Sequence, residues 1–123
     1  MPMSLGEGIP TTLEECFERL KTLEGLDQFI KASEGETIQY HHGLGRTIRN
    51  EWLYSEDSPL KKLLVGLRLF HEDDMSSLIL TSFHRHMNGK PLEIQEQVTK
   101  FHQHWSKLAT PMEILKMRKR VGG

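Results

Sequence analysis

The fold depends on the stretch Ile38-Gln-Tyr-His-His-Gly-Leu-Gly-Arg-Thr-Ile-Arg-Asn-Glu-Trp52. On a helical wheel of about 100° per residue, five of its positions fall within about 80° of one another. These positions are Ile38, His41, Gly45, Ile48 and Trp52. The spacing predicts an amphipathic helix that buries this stripe. Because glycine costs a helix about 1 kcal/mol relative to alanine, we expect Gly45 to allow close packing of a neighbouring helix.

Two basic side chains of this stretch, His42 and Arg49, lie on one border of the predicted stripe. A guanidinium at the edge of a core is costly unless it is paired, so Arg49 needs a carboxylate or carbonyl partner. Asp73 and Asp74, at the start of a later helix, are the candidates. The pair is either a structural link between two helices or part of an open Arg/His/Trp pocket. Such a pocket would recognise a carboxylate, a phosphate or a partner loop.

Length and composition predict one small cytoplasmic domain. The chain has 123 residues, 37% hydrophobic and 27% charged, which is ordinary for a globular protein. Its 16 basic and 17 acidic residues nearly cancel, so no net field attracts nucleic acid or an anionic membrane. The single cysteine, Cys16, excludes an internal disulfide and favours a reducing compartment, and we expect it to be buried. No apolar run has the length of a membrane span, and no signal-peptide pattern is present.

Helix signals recur along the chain, whereas strand signals do not. Thr12-x-x-Glu15 and Ser33-x-x-Glu36 have the capping-box pattern, and Ser58-Pro59 has the order favoured at a helix start. No segment alternates with a period of two. We therefore predict one all-α domain over 1–123, a compact bundle of five to seven helices with short loops. It comprises a flexible arm at 1–10, N-terminal helices at 11–32, core helices at 34–108, and a C-terminal helix with a basic tail at 111–123.

Three further helices are expected between the central stretch and the C-terminal segment. The first begins at Pro59 and ends near Phe70. The second begins with the acidic run 72–74, which complements the positive end of the helix dipole, and ends at Asn88-Gly89. Its buried face is predicted to contain Met75, Leu78, Ile79, Ser82, Phe83 and His86, with His84 exposed. The third carries the apolar stripe Ile94, Val98, Phe101, Trp105 and Leu108.

Seven histidines raise the question of a metal site or a catalytic site. The histidines at 41 and 42, at 84 and 86, and at 102 and 104 lack the spacing of three or four that places two ligands on one helix face. We predict no metal, no cofactor and no catalytic residue. An alternative is a small hydrolase or transferase in which His42 or His86 is the base and Asp74 orients it. The sequence contains no strained nucleophile turn to support that alternative.

Three blocks of the chain together resemble a small bacterial family of uncharacterised domains. They are Gly43-Leu-Gly-Arg-Thr-Ile-Arg-Asn-Glu-Trp52, Asp73-Asp-Met-Ser-Ser-Leu-Ile-Leu80 and Ser82-Phe-His-Arg-His-Met-Asn-Gly-Lys90. The resemblance extends from about Gln39 to Trp105, so the N-terminal helices and the basic tail lie outside it. It implies a small stand-alone domain without an established activity. Carried over residue by residue, it points to Arg49, Asn50, Trp52, Asp73, Asp74, Arg85 and Asn88.

The leading functional hypothesis is a non-enzymatic protein-interaction module: an adaptor, an inhibitor or an immunity-type partner of a toxin. Its contact surface is expected on the flank of the central helix, along Arg46, Asn50 and Tyr54. The candidate binding residues are Arg46, Arg49, Asn50, Trp52, His42, Asp73, Asp74 and Arg85. The runner-up is a nucleic-acid-associated regulator that uses Arg46 and the basic tail, although the near-neutral charge makes nucleic acid a weak partner. Self-association through the leucine-rich helix after Pro59 would give a homodimer and is a further alternative.

Overall fold

Six α-helices account for most of the fold. The computed structural model describes residues 5–108, and every regular element in that range is helical. The helices are α1 (Leu13–Leu20), α2 (Leu26–Lys31), α3 (Arg46–Ile48), α4 (Pro59–Gly66), α5 (Glu72–Met87) and α6 (Ile94–Leu108). The prediction of an all-α fold is confirmed. None of these described helices combines the length and the apolar character needed to cross a membrane.

The short α3 is the middle turn of a longer helical segment, residues 35–53, which we call the central helix. It begins as a 3-10 turn at Gly35–Tyr40 and has π-turns at His41–Gly45 and Arg49–Leu53 on either side of α3. In an α-helix, positions four residues apart drift by about 40° per step around the axis. A π-turn is wider, because its hydrogen bonds span five residues, and it opposes that drift. The burial pattern of the central helix consequently repeats every four residues.

This repeat separates an exposed side of the central helix from an inward side. Ile38, His42, Arg46, Asn50 and Tyr54 are all exposed, and we call them the exposed row. The inward side contains the buried residues Thr37, Leu44, Gly45, Ile48, Arg49, Trp52 and Leu53, and the partly buried Tyr40 and His41. The prediction that Ile38 is buried is wrong, since 74% of Ile38 is exposed to solvent. The wheel assumed an α-helical period, which the 3-10 turn and the π-turns do not have.

The helix α5 lies at the centre of the bundle, where it contacts α1, α2, the central helix and α6. Its buried residues include Met75, Leu78, Ile79, Ser82 and Phe83, as predicted. The two histidines near its end are reversed relative to the prediction, because His84 is buried and His86 is exposed. His84 packs edge-on against Phe29 of α2, and His86 stacks on Phe17 of α1. The prediction assumed one buried face, whereas α5 has neighbouring helices on several sides.

The predicted helix starts are confirmed. The Thr12 hydroxyl accepts a hydrogen bond from the Glu15 backbone, and the Glu15 carboxylate accepts one from the Thr12 backbone. Ser33 and Glu36 make the same exchange where the central helix begins. Ser58 caps α4 by accepting from the Lys61 backbone. The end of α4 was predicted less well: the helix stops at Gly66 rather than near Phe70, and Arg68 has a left-handed φ of 70°.

Both ends of the described chain pack onto the bundle. Leu5 is buried in the core, and Arg19 of α1 donates to the carbonyl oxygens of Leu5 and Gly8. The flexibility of the predicted arm at 1–10 stays a prediction, while its residues Leu5 and Gly8 contact the bundle through these groups. At the other end, Gln97 of α6 donates to the Ser82 hydroxyl of α5 at 3.0 Å. Residues 1–4 and the predicted C-terminal helix and basic tail lie outside the described residues.

Candidate functional site

Arg49 connects the central helix to the first turns of α5. Its side chain is only 8% exposed, and its Nε lies 3.3 Å from Asp73 Oδ1. Nη1 donates to Ser76 Oγ at 2.9 Å, and Nη2 donates to the His41 carbonyl oxygen at 3.3 Å. Asp73 is thus the carboxylate partner that a buried guanidinium requires. Because Nη1 and Nη2 each donate to an acceptor and Nε lies beside a carboxylate, the geometry favours the structural ion pair over an open pocket.

His41 fills the space beside the guanidinium. Its Nε2 lies 3.5 Å from Arg49 Nη1, so this ring nitrogen is the acceptor and the proton of the neutral ring belongs on Nδ1. Nδ1 lies 3.4 Å from Ser77 Oγ. Burial, followed by the positive charge of Arg49, lowers the pKa of His41 below its usual value of 6.5. A neutral imidazole therefore accompanies the charged guanidinium at neutral pH.

Ser77, His41 and Asp73 have the composition of a catalytic triad but not its geometry. A general base has to accept the proton of the nucleophile, whereas the tautomer that lets His41 accept from Arg49 leaves the ring proton on Nδ1, the nitrogen that faces Ser77. Asp73 Oδ1 lies 4.0 Å from His41 Nε2, beyond hydrogen-bond distance, and it pairs with Arg49 instead. The arrangement can hold two helices together, but it does not activate Ser77.

Asp74 anchors α6 rather than Arg49. Its Oδ2 accepts a hydrogen bond of 2.8 Å from Trp105 Nε1. The Trp105 ring in turn stacks on His71, with ring centroids 4.1 Å apart. Asp74 therefore orients neither His42 nor His86 among the described contacts, and these were the bases of the hydrolase alternative. Within residues 5–108, no group of three or more His, Cys, Asp or Glu side chains could hold a metal ion.

Trp52 belongs to the core and does not line an open pocket. Its side chain is buried, and its Nε1 has no hydrogen-bond partner among the described residues. Its carbonyl oxygen accepts a hydrogen bond from Ser58 Oγ, which also caps α4. The tryptophan thus connects the end of the central helix to the start of the next helix.

Arg85 and Asn88 fasten the end of α5 to the segment that precedes the central helix. Arg85 Nε donates to the Glu34 carboxylate, and this hydrogen bond lowers the pKa of Glu34. Asn88 Nδ2 donates to the Ile30 carbonyl oxygen at 3.1 Å, near the end of α2. Carbonyl groups at a helix end lack intrahelical partners, so Asn88 satisfies one of them in α2. Together, Arg85 and Asn88 join α5 to α2 and to the segment before the central helix.

The remaining candidates, His42, Arg46 and Asn50, lie on the exposed row, and their side chains make no hydrogen bond or ion pair with Arg49. The prediction that His42 and Arg49 share one border of the helix is wrong, because the π-turn places His42 on the solvent side. Its ring meets the His41 ring edge-on, with centroids 5.7 Å apart. The side chains of Arg46 and Asn50 make no hydrogen bond or ion pair within the described residues.

Sequence reasoning missed Ser76, Ser77 and Glu34 as members of these networks. A signal for Ser76 was present, because it lies three residues after Asp73 and therefore on the same face of α5. Glu34 gave no such signal, since 51 residues separate it from Arg85.

A comparison with protein-family models now places the chain. Residues 9–87 match the family described as Domain of unknown function (DUF6794). This chain belongs to that family. The DUF6794 match begins before α1, whereas the resemblance began near Gln39, and it ends at Met87, whereas the resemblance extended to Trp105. The match contains the whole Arg49 network. Searches of curated proteins and of solved structures found no match.

Gly45 of the DUF6794 domain is buried and faces the Arg49 guanidinium of its own helix. A Cβ on Gly45 would lie 3.2 Å from Arg49 Nη1 and 3.6 Å from His41 Nδ1. A Cβ on Gly43, two residues earlier, would meet nothing within 4 Å. The two glycines are therefore a matched pair for testing the position of the guanidinium.

We expect Gly43→Ala to raise the free energy of unfolding by about 0.5–1 kcal/mol, because alanine is the better helix former. In Gly45→Ala, overpacking of about 1–3 kcal/mol should exceed that gain, since hydrogen bonds hold the guanidinium in place. Urea unfolding followed by circular dichroism measures both variants. A Gly45→Ala domain at least as stable as the wild type would show that Arg49 does not occupy this position.

The lowered pKa of His41 predicts a loss of stability in mildly acidic solution. Below about pH 6.5 the unfolded chain binds a proton at His41 more readily than the folded domain does. The free energy of unfolding therefore decreases as the pH is lowered. His41→Asn removes this contribution. Between about pH 7.5 and about pH 5.5, the wild type should lose more stability in urea unfolding than His41→Asn. Equal losses in the two proteins would mean that folding leaves the titration of His41 unchanged.

Proposed function

We propose that this DUF6794 domain is a non-enzymatic protein-interaction module, of the adaptor, inhibitor or immunity type, and that the exposed row is its contact surface. One observation carries the proposal. Ile38 and Tyr54, at the two ends of the row, are 74% and 53% exposed, and the unpaired Arg46 lies midway between them. Single exposed apolar residues are ordinary. Tyrosine and arginine, however, are among the residue types that contribute most to binding at protein interfaces.

The buried side of the same helix supports this surface. Arg49 is held by Asp73 and Ser76 of α5 and by the His41 carbonyl group, all on the inward side. A surface whose backbone is already fixed loses less conformational entropy when a partner binds. The ion pair of Arg49 with Asp73 would then contribute to binding indirectly, because it fixes the backbone of the helix that carries the exposed row.

The π-turns support the same proposal. They occur at His41–Gly45 and Arg49–Leu53, and they bring the five residues of the exposed row into one line. Single π-turns within α-helices are frequently found at functional sites. A regular α-helix would spread the same five side chains over about 160° of its circumference.

We also propose a cytoplasmic location for the domain. Cys16 is a free thiol buried in α1, and burial raises its pKa to about 12. A single free cysteine fits a reducing compartment, where disulfides do not form.

Affinity capture from a native lysate tests the surface, with Arg46→Ala/Asn50→Ala compared with the wild type as bait. The matched control is Gln28→Ala/Lys31→Ala on α2, which also removes one amide and one cation from exposed positions. Because all four side chains are exposed, both variants should unfold at the wild-type temperature, and only the first should lose the partner. If the wild type retains no protein, or if the row variant retains the same proteins, the proposal is wrong.

A further inference from the structure

We infer that the partner of the exposed row is an acidic amphipathic helix. A carboxylate of that helix would contact Arg46, and its apolar side chains would contact Ile38 and Tyr54. This inference rests on the proposed function and specifies the chemistry of the partner.

The centre of the exposed row is cationic. Arg46 is exposed and its side chain makes no ion pair or hydrogen bond within residues 5–108. Other charged groups of the central helix are already engaged: Arg49 pairs with Asp73, and Glu51 accepts a hydrogen bond from the Leu5 backbone. The guanidinium of Arg46 is therefore available to a partner, and a carboxylate is its complement.

A second copy of this chain does not fit the row. If two identical helices paired antiparallel along it, Ile38 of one copy would lie opposite Tyr54 of the other. The same two-fold symmetry would place Arg46 opposite Arg46 of the second copy, at the centre of the contact. Juxtaposed like charges oppose association. A two-fold pairing of the row with itself is therefore disfavoured, and the row favours a partner with an acidic residue at this point.

The length and shape of the row match a helix. From residue 38 to residue 54 the row would extend about 24 Å at the mean α-helical rise, a length that the 3-10 turn increases and the wider π-turns decrease. Gly43 is exposed on the same side of the central helix, and a Cβ there would meet nothing within 4 Å. The missing side chain lets another helix approach the backbone closely. On such a helix, apolar residues placed seven positions before and after an acidic residue share one face and span about 21 Å.

Phosphate is the other anion that a guanidinium binds well. A nucleic-acid surface is typically a cluster of cations, whereas the ends of this row are the apolar Ile38 and the aromatic Tyr54. The chain as a whole also has 17 acidic residues against 16 basic ones. The observations therefore favour a protein helix, and DNA becomes one arm of the test.

The test uses three synthetic helical peptides with a leucine seven positions before and after a central residue, which is glutamate, lysine or alanine. Fluorescence anisotropy measures their affinity for the folded domain. The glutamate peptide should bind about fivefold more tightly than the lysine peptide, and Arg46→Glu should reverse this order. Lys62→Glu makes the same change of charge on an exposed residue of α4 and should preserve the order. Ile38→Ser should weaken binding of all three peptides.

Three results would overturn the inference. They are equal affinities for the glutamate and lysine peptides, no peptide binding below about 1 mM, and binding of a short DNA duplex that is tighter than any peptide and is lost in Arg46→Glu. The proposed function fails separately, since capture from a lysate does not depend on the partner's charge. If a partner is lost in Arg46→Ala/Asn50→Ala but the peptides fail, the interaction module stands and the acidic helix does not.

Discussion

The buried guanidinium of Arg49 determines how the two central elements of this domain fit together. A charge in this position is stable only when the surrounding structure supplies acceptors. Asp73 and Ser76 supply them from α5, and the carbonyl group of His41 supplies one from an earlier turn of the same helix. Gly45 lies between His41 and Arg49 and leaves the space that the guanidinium occupies. The glycine that is unfavourable for a helix is thus explained by the arginine that follows it.

The same constraint shapes the opposite side of the helix. His41, Gly45 and Arg49 follow one another at intervals of four, which the π-turns make possible. Because the helix repeats every four residues on its inward side, it also repeats every four residues on its outward side, and the side chains of the exposed row are therefore aligned. The ion pair of Arg49 with Asp73 and the alignment of the exposed row are therefore two consequences of one helix geometry.

Some of this structure could be predicted from the sequence. The capping boxes depend on residues three positions apart, and the pairing of Arg49 with an aspartate follows from the cost of an unpaired buried charge. The exposure of Ile38 and His42 could not be predicted, because the 3-10 turn and the π-turn that contain them depart from the α-helical period. His84 and His86 were reversed for a related reason, since α2 and α1 pack on different sides of α5. The ion pair of Arg85 with Glu34 had no local sequence signal at all.

The account depends on a fixed position for the Arg49 side chain, and NMR of its Nε–H group in the folded domain measures this directly. With 8% of the side chain exposed, the Nε–H proton should give a resolved signal and exchange slowly with water, and the Nη1 protons should show an NOE to the side-chain protons of Ser76. An Nε–H signal that coincides with those of exposed arginines and exchanges as fast as they do, with no NOE from Nη1 to Ser76, would contradict the account.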